Sequence, residues 1–154
     1  MALLLVVRIK GTVNVPTRVK DTLIRLNLKR RYSATLVPDN PVTRGMLERA
    51  KDWIAWCKAS KDIVIKLLKE RGRRTGWRPL DEEYLKELGF SSFEDLADKL
   101  IKGEVKLNKL KGIKPYFALN PPRKGFPGTV KKSYKEGGVL GENPELLEIV
   151  ERMI

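Results

Sequence analysis

The residues in this sequence best suited to a chemical role are cations, and a first cluster of them surrounds a predicted helix near the N-terminus. Its members are Arg8, Lys10, Arg18, Lys20, Arg25, Lys29, Arg30 and Arg31. Lysine and arginine neutralise phosphates, and an arginine can bind one phosphate through two parallel hydrogen bonds. The cluster therefore predicts salt-dependent binding of nucleic acid, with the base sequence left open. The alternative is that these cations only solvate a surface.

A second cluster places an aromatic ring among arginines. It consists of Arg71, Arg73, Arg74, Trp77 and Arg78. A tryptophan in such surroundings can stack on an unpaired base or on a guanidinium plane. This pattern predicts a contact with single-stranded nucleic acid. The alternative is that Trp77 packs against the core beside a solvated loop.

The third cluster lies in residues 106–135, which hold nine basic residues and no acidic one. Its most prominent members are Arg123, Lys124, Lys131, Lys132 and Lys135. Four prolines and six glycines interrupt residues 106–141, so we expect an extended chain that threads between RNA helices and becomes ordered on binding. A disordered basic linker is the alternative.

The charge of the whole chain is strongly segregated. Its 154 residues contain 32 Lys+Arg and 19 Asp+Glu, a formal charge of +13. Residues 1–77 hold 18 basic and 6 acidic residues, whereas residues 78–105 hold 4 and 8, and residues 136–154 hold 1 and 5. No basic segment has the broad apolar face of a membrane-binding helix. The distribution therefore predicts nucleic acid as the partner and no membrane.

Several enzyme classes are excluded by composition. The absence of His rules out imidazole catalysis and histidine metal sites, and the single Cys57 rules out an intrachain disulfide. No glycine-rich nucleotide-binding pattern occurs. We expect no catalysis, no metal and no cofactor, with a small phosphate-ester enzyme using Arg and Asn as the alternative.

The expected location is the cytoplasm. The longest apolar run near the N-terminus, Ala2–Val7, has six residues and is followed by Arg8. It is too short for a signal peptide or a membrane span. A single cysteine also fits a reducing compartment.

The elements that must position these clusters begin with a compact α+β unit. Apolar runs predict strands at residues 3–9, 32–37 and 53–57, separated by helices that start near Thr17, as N-cap, and Val42. We expect residues 1–58 to form this βαβαβ core. Residues 59–105 are predicted to be helical, with Ser60, Asp81 and Ser92 as N-caps. Residues 106–154 are predicted to be an extended basic segment that ends in a short helix capped by Asn143.

Two groups of motifs resemble a known family, the large-subunit ribosomal protein thirty family. The core motifs are Arg8-Ile9-Lys10, Leu26-Asn27-Leu28, Val37-Pro38-Asp39-Asn40-Pro41 and Arg44-Gly45-Met46. The tail motifs are Pro122-Arg123-Lys124-Gly125, Lys131-Lys132 and Glu136-Gly137-Gly138. The sequence is similar to the long archaeal and eukaryotic form, which suggests an archaeal source. Asn27 and Lys124 stand where the family has Gly, and Asn27 fits if its φ is positive.

The resemblance implies a fold related to the ferredoxin-like fold, an antiparallel three-stranded sheet with two helices on one face. It also implies a structural component of the large ribosomal subunit that binds ribosomal RNA, near the 5S RNA and among neighbouring ribosomal proteins. Arg44 would then belong to the RNA-facing surface. A chromatin or DNA-binding protein is the alternative, and the lack of an evident recognition helix in the core counts against it.

Overall fold

Strand β1, Leu3–Arg8, is buried along its whole length, and the rest of the fold covers its two faces. The computed structural model describes residues 3–11, 13–110 and 112–154. Ala2, with which the apolar run Ala2–Val7 begins, and Lys111 of the acid-free segment lie outside these ranges. Because successive side chains of a strand point to opposite faces, the run Leu-Leu-Leu-Val-Val gives β1 two apolar faces.

A six-stranded sheet with β1 near its middle is formed by the described residues. The other strands are β2 Ser33–Pro38, β3 Ile54–Lys58, β4 Arg73–Arg74, β5 Arg78–Pro79, β6 Phe117–Ala118, β7 Thr129–Ser133 and β8 Gly138–Glu142. The order in the sheet is β6-β2-β1-β3-β8-β7, while β4 and β5 form a separate antiparallel hairpin. β1 pairs antiparallel with β2 and β3, β6 pairs antiparallel with β2, and β8 pairs in parallel with β3 and β7.

Four of the six described helices begin at a short polar side chain that accepts a free backbone N–H group. They are α1 Thr17–Arg25, α2 Pro41–Arg49, α3 Lys61–Arg71, α4 Glu82–Glu87, α5 Phe93–Lys102 and α6 Leu146–Met153. The predicted caps Ser60, Asp81 and Ser92 are confirmed, since each accepts the backbone N–H three residues later at 2.8–3.4 Å.

Two predicted caps are wrong. Thr17 is the first helical residue of α1. The N-cap position is held by Pro16, whose φ of −58° and ψ of 143° are extended and whose side chain cannot accept a hydrogen bond. Asn143 lies two residues before Glu145, the N-cap position of α6, and so does not cap the helix. Its side chain accepts the N–H of Glu145 at 2.9 Å and donates to the carbonyl of Val139 at 3.2 Å, so it shapes the turn before the helix.

Each face of β1 has its own apolar cluster. On one face, Leu4 and Val6 pack with Leu23 of α1 and Leu47 of α2. On the other face, Leu3, Leu5 and Val7 belong to a larger cluster with apolar side chains of α3, α5 and α6, among them Leu67, Leu96 and Ile149. The first face is therefore covered by residues of the N-terminal third of the chain, and the second face by residues that follow it.

Residues 106–141, expected from the sequence to be an extended chain without periodic structure, contain short regular elements, and ordering of this segment on binding stays a prediction. This segment contains β6, β7 and most of β8, together with 3-10 turns at Leu107–Lys109 and Tyr134–Glu136. Its apolar side chains Leu107, Ile113, Phe117 and Leu119 are all buried. They show no periodicity in the sequence because they are buried singly, by neighbours from other parts of the chain, rather than along one helix or strand.

The α+β class predicted from the sequence is confirmed. The division into segments at residues 58 and 105 stays a prediction, and the sheet crosses both positions. None of the helices within the described ranges is long and apolar enough to cross a membrane.

Phe117 tests whether the C-terminal segment is part of the folded core. Its side chain is fully buried in β6. We expect Phe117→Ala to lower the free energy of unfolding by about 3–5 kcal/mol, because it leaves a cavity in the larger cluster. Urea denaturation measures this value, with the exposed Lys109→Ala of the same segment as the control. A loss below about 1 kcal/mol, or a separate second transition, would contradict the packing described.

Candidate nucleic-acid interface

A groove of about 700 Å³ brings together residues from three distant parts of the sequence. We call it the cationic groove. It is lined by Asn27, Lys29, Arg30, Arg31, Ser33, Trp77, Lys114, Pro115, Tyr116, Ala118 and Leu119. All the charged residues in this lining are cations, and two of the others are aromatic. The groove therefore joins part of the first predicted cluster to Trp77 of the second and to the start of the third.

The loop of Lys29, Arg30 and Arg31 follows α1 directly, and Asn27 sets its direction. Asn27 has a φ of +62°, the left-handed conformation that Asn tolerates better than most residues, as its expected replacement of Gly requires. The N–H of Asn27 donates to Ile24 at 3.0 Å, which ends the helix. Lys29, Arg30 and Arg31 are all exposed beyond this turn.

Arg8 is buried beneath this loop and is bound to its backbone by hydrogen bonds. It is only 3% exposed. Its guanidinium donates to the carbonyl of Leu28 at 2.8 Å, and to those of Lys10 and Gly11 at 3.0 Å each. Burial lowers the pKa of Arg8. Because each of its three guanidinium nitrogens donates to a backbone carbonyl, Arg8 positions the loop, and its predicted contact with phosphate stays a prediction.

Arg31 is anchored while remaining exposed. Its Nε donates to the carbonyl of Ile9 at 3.0 Å, and its guanidinium lies 4.8 Å from the centre of the Tyr32 ring. Within the described residues, its two terminal nitrogens donate to no protein acceptor. Tyr32 in turn has its ring 6.2 Å from that of Phe126, so this aromatic pair connects the groove to the tail.

The β4–β5 hairpin presents Trp77 at the groove. The hairpin is fixed by backbone hydrogen bonds from Thr75 to Gly112 and from Lys114 to Arg73, both at 2.9 Å. Trp77 is 46% exposed and has a φ of +62°. Its ring lies 5.9 Å from the ring of Tyr116 and 5.9 Å from the guanidinium of Arg73.

The arginines of the second cluster have different surroundings. Arg73 is half-buried and donates to the carbonyl of Gly72 at 2.9 Å. Arg74 is also half-buried, with its guanidinium 4.0 Å from the centre of the Tyr84 ring. Arg78 is exposed on β5. Of the predicted residues in this cluster, only Trp77 lines the groove. Arg73 does not line it, but its guanidinium lies against the Trp77 ring.

The third wall of the groove is the chain that leads into β6. Ser33 pairs with Ala118 across the sheet, and the N–H of Leu119 donates to the carbonyl of Tyr32 at 3.2 Å. The hydroxyl of Thr35 donates to the carbonyl of Pro115 at 2.8 Å. These bonds hold residues 114–119 beside the loop of Arg31.

Lys114 and Tyr116 are the cationic and the aromatic groove residue that the sequence predictions did not single out. Both are half-buried, and Tyr116 contacts the Trp77 ring. The sequence contains a signal for these two residues, because a cation, Lys114, is followed two positions later by an aromatic residue, Tyr116, inside the acid-free segment. Such a pattern is typical of nucleic-acid contacts. Only the fold, however, places them next to Trp77.

Arg44 is paired with carboxylates. It forms a two-pronged ion pair with Asp39, at 2.7 and 3.0 Å, and a longer contact of 3.5 Å with Glu142. The hydrogen bond with Asp39 raises the pKa of Arg44 and lowers that of Asp39. Arg44 therefore joins α2 to the ends of β2 and β8, and its place on an RNA-facing surface stays a prediction.

The remaining predicted residues lie outside the cationic groove. Arg18, Lys20 and Arg25 are exposed on α1, and Lys10 is half-buried with its ammonium 6.0 Å from the Trp53 ring.

The tail residues Arg123, Lys124, Lys131, Lys132 and Lys135 are all exposed. Arg123 is held by α6, because its carbonyl accepts a hydrogen bond from Arg152 at 3.1 Å. Lys124 has a φ of +64°, which lies in the left-handed region that favours glycine.

The described residues contain no cluster of His, Cys, Asp or Glu that could hold a metal ion. Burial raises the pKa of the Cys57 thiol to about 12, so the thiolate is absent at neutral pH. The exposed chemistry at this surface is that of cations and aromatic rings.

The comparison with known proteins agrees with this chemistry. Residues 4–54 match the family described as Ribosomal protein L30p/L7e. Over 155 aligned residues, the chain is 47% identical to a large ribosomal subunit protein uL30 of Ignicoccus hospitalis, covering 99% of this chain and 98% of the relative. The chain belongs to the L30p/L7e family of ribosomal proteins.

Two further L30p/L7e relatives cover nearly the full length. The uL30 protein of Thermofilum pendens is 43% identical over all of both chains, and that of Cenarchaeum symbiosum is 41% identical over 97% of each. The predicted membership of this family is therefore confirmed, as is its long archaeal form. Members of the family are ribosomal proteins and not enzymes, which confirms the expectation of a non-catalytic chain.

Arg8 offers a test of the positioning role. We expect Arg8→Met, which keeps a long side chain without donors, to lower the free energy of unfolding by at least about 2 kcal/mol, since buried carbonyls lose charged donors. Urea denaturation measures the loss, and the exposed Arg30→Met is the matched control, with an expected change below about 0.5 kcal/mol. Equal effects of the two substitutions would contradict the buried role.

The ion pair of Arg44 and Asp39 predicts a pH dependence. Because the folded-state pKa of Asp39 lies below its ordinary value of 3.8, the carboxylate stabilises the fold fully above that value. The stabilisation is lost as the pH falls through the lowered pKa. We expect the stability difference between wild type and Asp39→Asn to be present near about pH 7 and to shrink below about pH 3. A difference independent of pH over this range would show that the pair contributes nothing.

Proposed function

We propose that the chain is a structural protein of the large ribosomal subunit that binds ribosomal RNA through the cationic groove, in the cytoplasmic ribosome. Membership of the L30p/L7e family supports the ribosomal role. The observation that carries the RNA-binding role is the convergence of Lys29, Arg30, Arg31 and Lys114 with Trp77 in one groove without an acidic residue in its lining.

Phosphate neutralisation is the main source of the proposed affinity. Folded RNA brings phosphates close together, and lysine and arginine side chains relieve the repulsion while releasing counterions. Arg30 and the terminal nitrogens of Arg31 are exposed and have the geometry for bidentate phosphate contacts. A fixed set of such cations recognises where phosphates lie, and therefore the shape of the RNA.

We expect this surface to recognise the shape of an A-form RNA helix rather than its base sequence. The major groove of an RNA helix is deep and narrow, so side chains reach few base edges there. Sequence-specific contacts are made mainly to unpaired bases, which aromatic rings can stack on. The combination of cations with Trp77 and Tyr116 is suited to both kinds of contact.

The exposed tail cations form a second proposed RNA contact. These are Arg123, Lys124, Lys131, Lys132 and Lys135, and they are all on the surface. The pair of Tyr32 and Phe126 joins the tail to the cationic groove. We propose that the tail binds RNA beyond the groove. The exposed cations of α1, Arg18, Lys20 and Arg25, are proposed as a further contact with RNA.

The placement near 5S ribosomal RNA and next to other ribosomal proteins is also a proposal. The 5S position is supported by the family resemblance alone. Contact with protein neighbours is supported by exposed apolar side chains, of which Val42 is 76% exposed and lies beside an apolar depression lined by Met46 and Leu107.

A paired substitution tests the proposed RNA contact. We expect Arg30→Ala/Arg31→Ala to weaken binding to a large-subunit ribosomal RNA fragment and to reduce the slope of log affinity against log salt by about 1.5, since two phosphate contacts are lost. The matched control is Lys66→Ala/Lys86→Ala, which removes two exposed cations from α3 and α4 outside the groove.

The competing classes give different results in the same measurement. Affinity for duplex DNA equal to that for the RNA fragment at matched salt would favour a DNA-binding protein. An equal loss of slope in the control pair would show that only the total charge matters. Either result would contradict specific binding through the cationic groove.

A further inference from the structure

We propose that the cationic groove holds one unpaired nucleotide of the RNA, with its base stacked on Trp77 and its phosphate bound by Arg30 and Arg31. This inference rests on the proposed function and names the ligand at that site. It is drawn from the position of Trp77, from the way its ring is held, and from the charge and size of the groove.

The Trp77 side chain is not part of the apolar core of the described residues. It belongs to neither apolar cluster, and 46% of its surface is exposed. Its φ of +62° is strained for a bulky side chain. Strained residues of this kind concentrate at ligand sites, where the surrounding structure holds them in place.

The Trp77 ring is held in position in the free protein. Tyr116 and the guanidinium of Arg73 each lie 5.9 Å from it. The hairpin beneath it is fixed by the hydrogen bonds of Thr75 and Lys114 to the neighbouring backbone. A ring that is already ordered loses little conformational entropy when a base stacks on it.

The groove has the charge and size for a nucleotide. Its volume of about 700 Å³ is within the range of small-ligand sites. Lys29, Arg30, Arg31 and Lys114 line the same groove as the two aromatic rings, so a phosphate and a stacked base can be bound in one site. In a paired RNA helix the bases are already stacked on each other, and only an extruded base can lie on Trp77.

The test compares two RNA duplexes that differ only by one unpaired adenosine bulge. We expect the full-length protein to bind the bulged duplex about tenfold more tightly than the paired one, as expected for one base stacked on an aromatic ring. Trp77→Ala removes this preference, so that the variant binds the two duplexes with equal affinity. Trp77→Phe retains most of the preference, because a ring is still present.

A spectroscopic readout accompanies the affinities. The fluorescence that Trp77 contributes, obtained as wild type minus Trp77→Phe, should be quenched by the bulged duplex and not by the paired one. Arg30→Ala/Arg31→Ala should weaken binding to both duplexes while retaining their ratio.

The outcomes separate this inference from the proposed function. Salt-dependent binding of both duplexes with equal affinity, or an equal loss of both in Trp77→Ala, would overturn the unpaired-nucleotide site while leaving RNA binding intact. Failure to bind either duplex with a salt-dependent affinity would overturn the proposed function as well.

Discussion

The burial of β1 on both faces is the constraint on which the rest of the structure depends. Residues 3–8 are all buried, and their alternating side chains need an apolar partner on each side of the sheet. α1 and α2 cover one face, and the N-terminal third of the chain has no further element for the other. The later helices α3, α5 and α6 must therefore return to the same sheet to form the second cluster.

Covering the second face is also what builds the cationic groove. The chain that returns to the sheet places β6 against β2, immediately after the loop of Arg31. The same segment pairs with the β4–β5 hairpin, through the hydrogen bond of Lys114 to Arg73. Trp77 and Lys114 thus reach the loop that follows α1 as a consequence of core packing.

Local signals in the sequence predicted the elements well but could not resolve the environment of single cations. Caps such as Ser60 and Asp81 depend on neighbours three residues away, so their pattern is readable. Arg8 and Arg44 look like free cations in any count of charge. Their partners, the carbonyl of Leu28 and the carboxylate of Asp39, are set by the turns and strands around them. The groove itself joins residues from three segments, which no local pattern contains.

Ultraviolet crosslinking of assembled large subunits, followed by mass spectrometry of the peptides that carry a nucleotide, tests the central claim most directly. Crosslinks of this kind form only where a side chain and a base are in contact. The account predicts adducts on Trp77 or Tyr116, and on the peptide that contains Lys29 to Arg31. Adducts confined to β7 and the tail, with the groove residues unmodified, would contradict it.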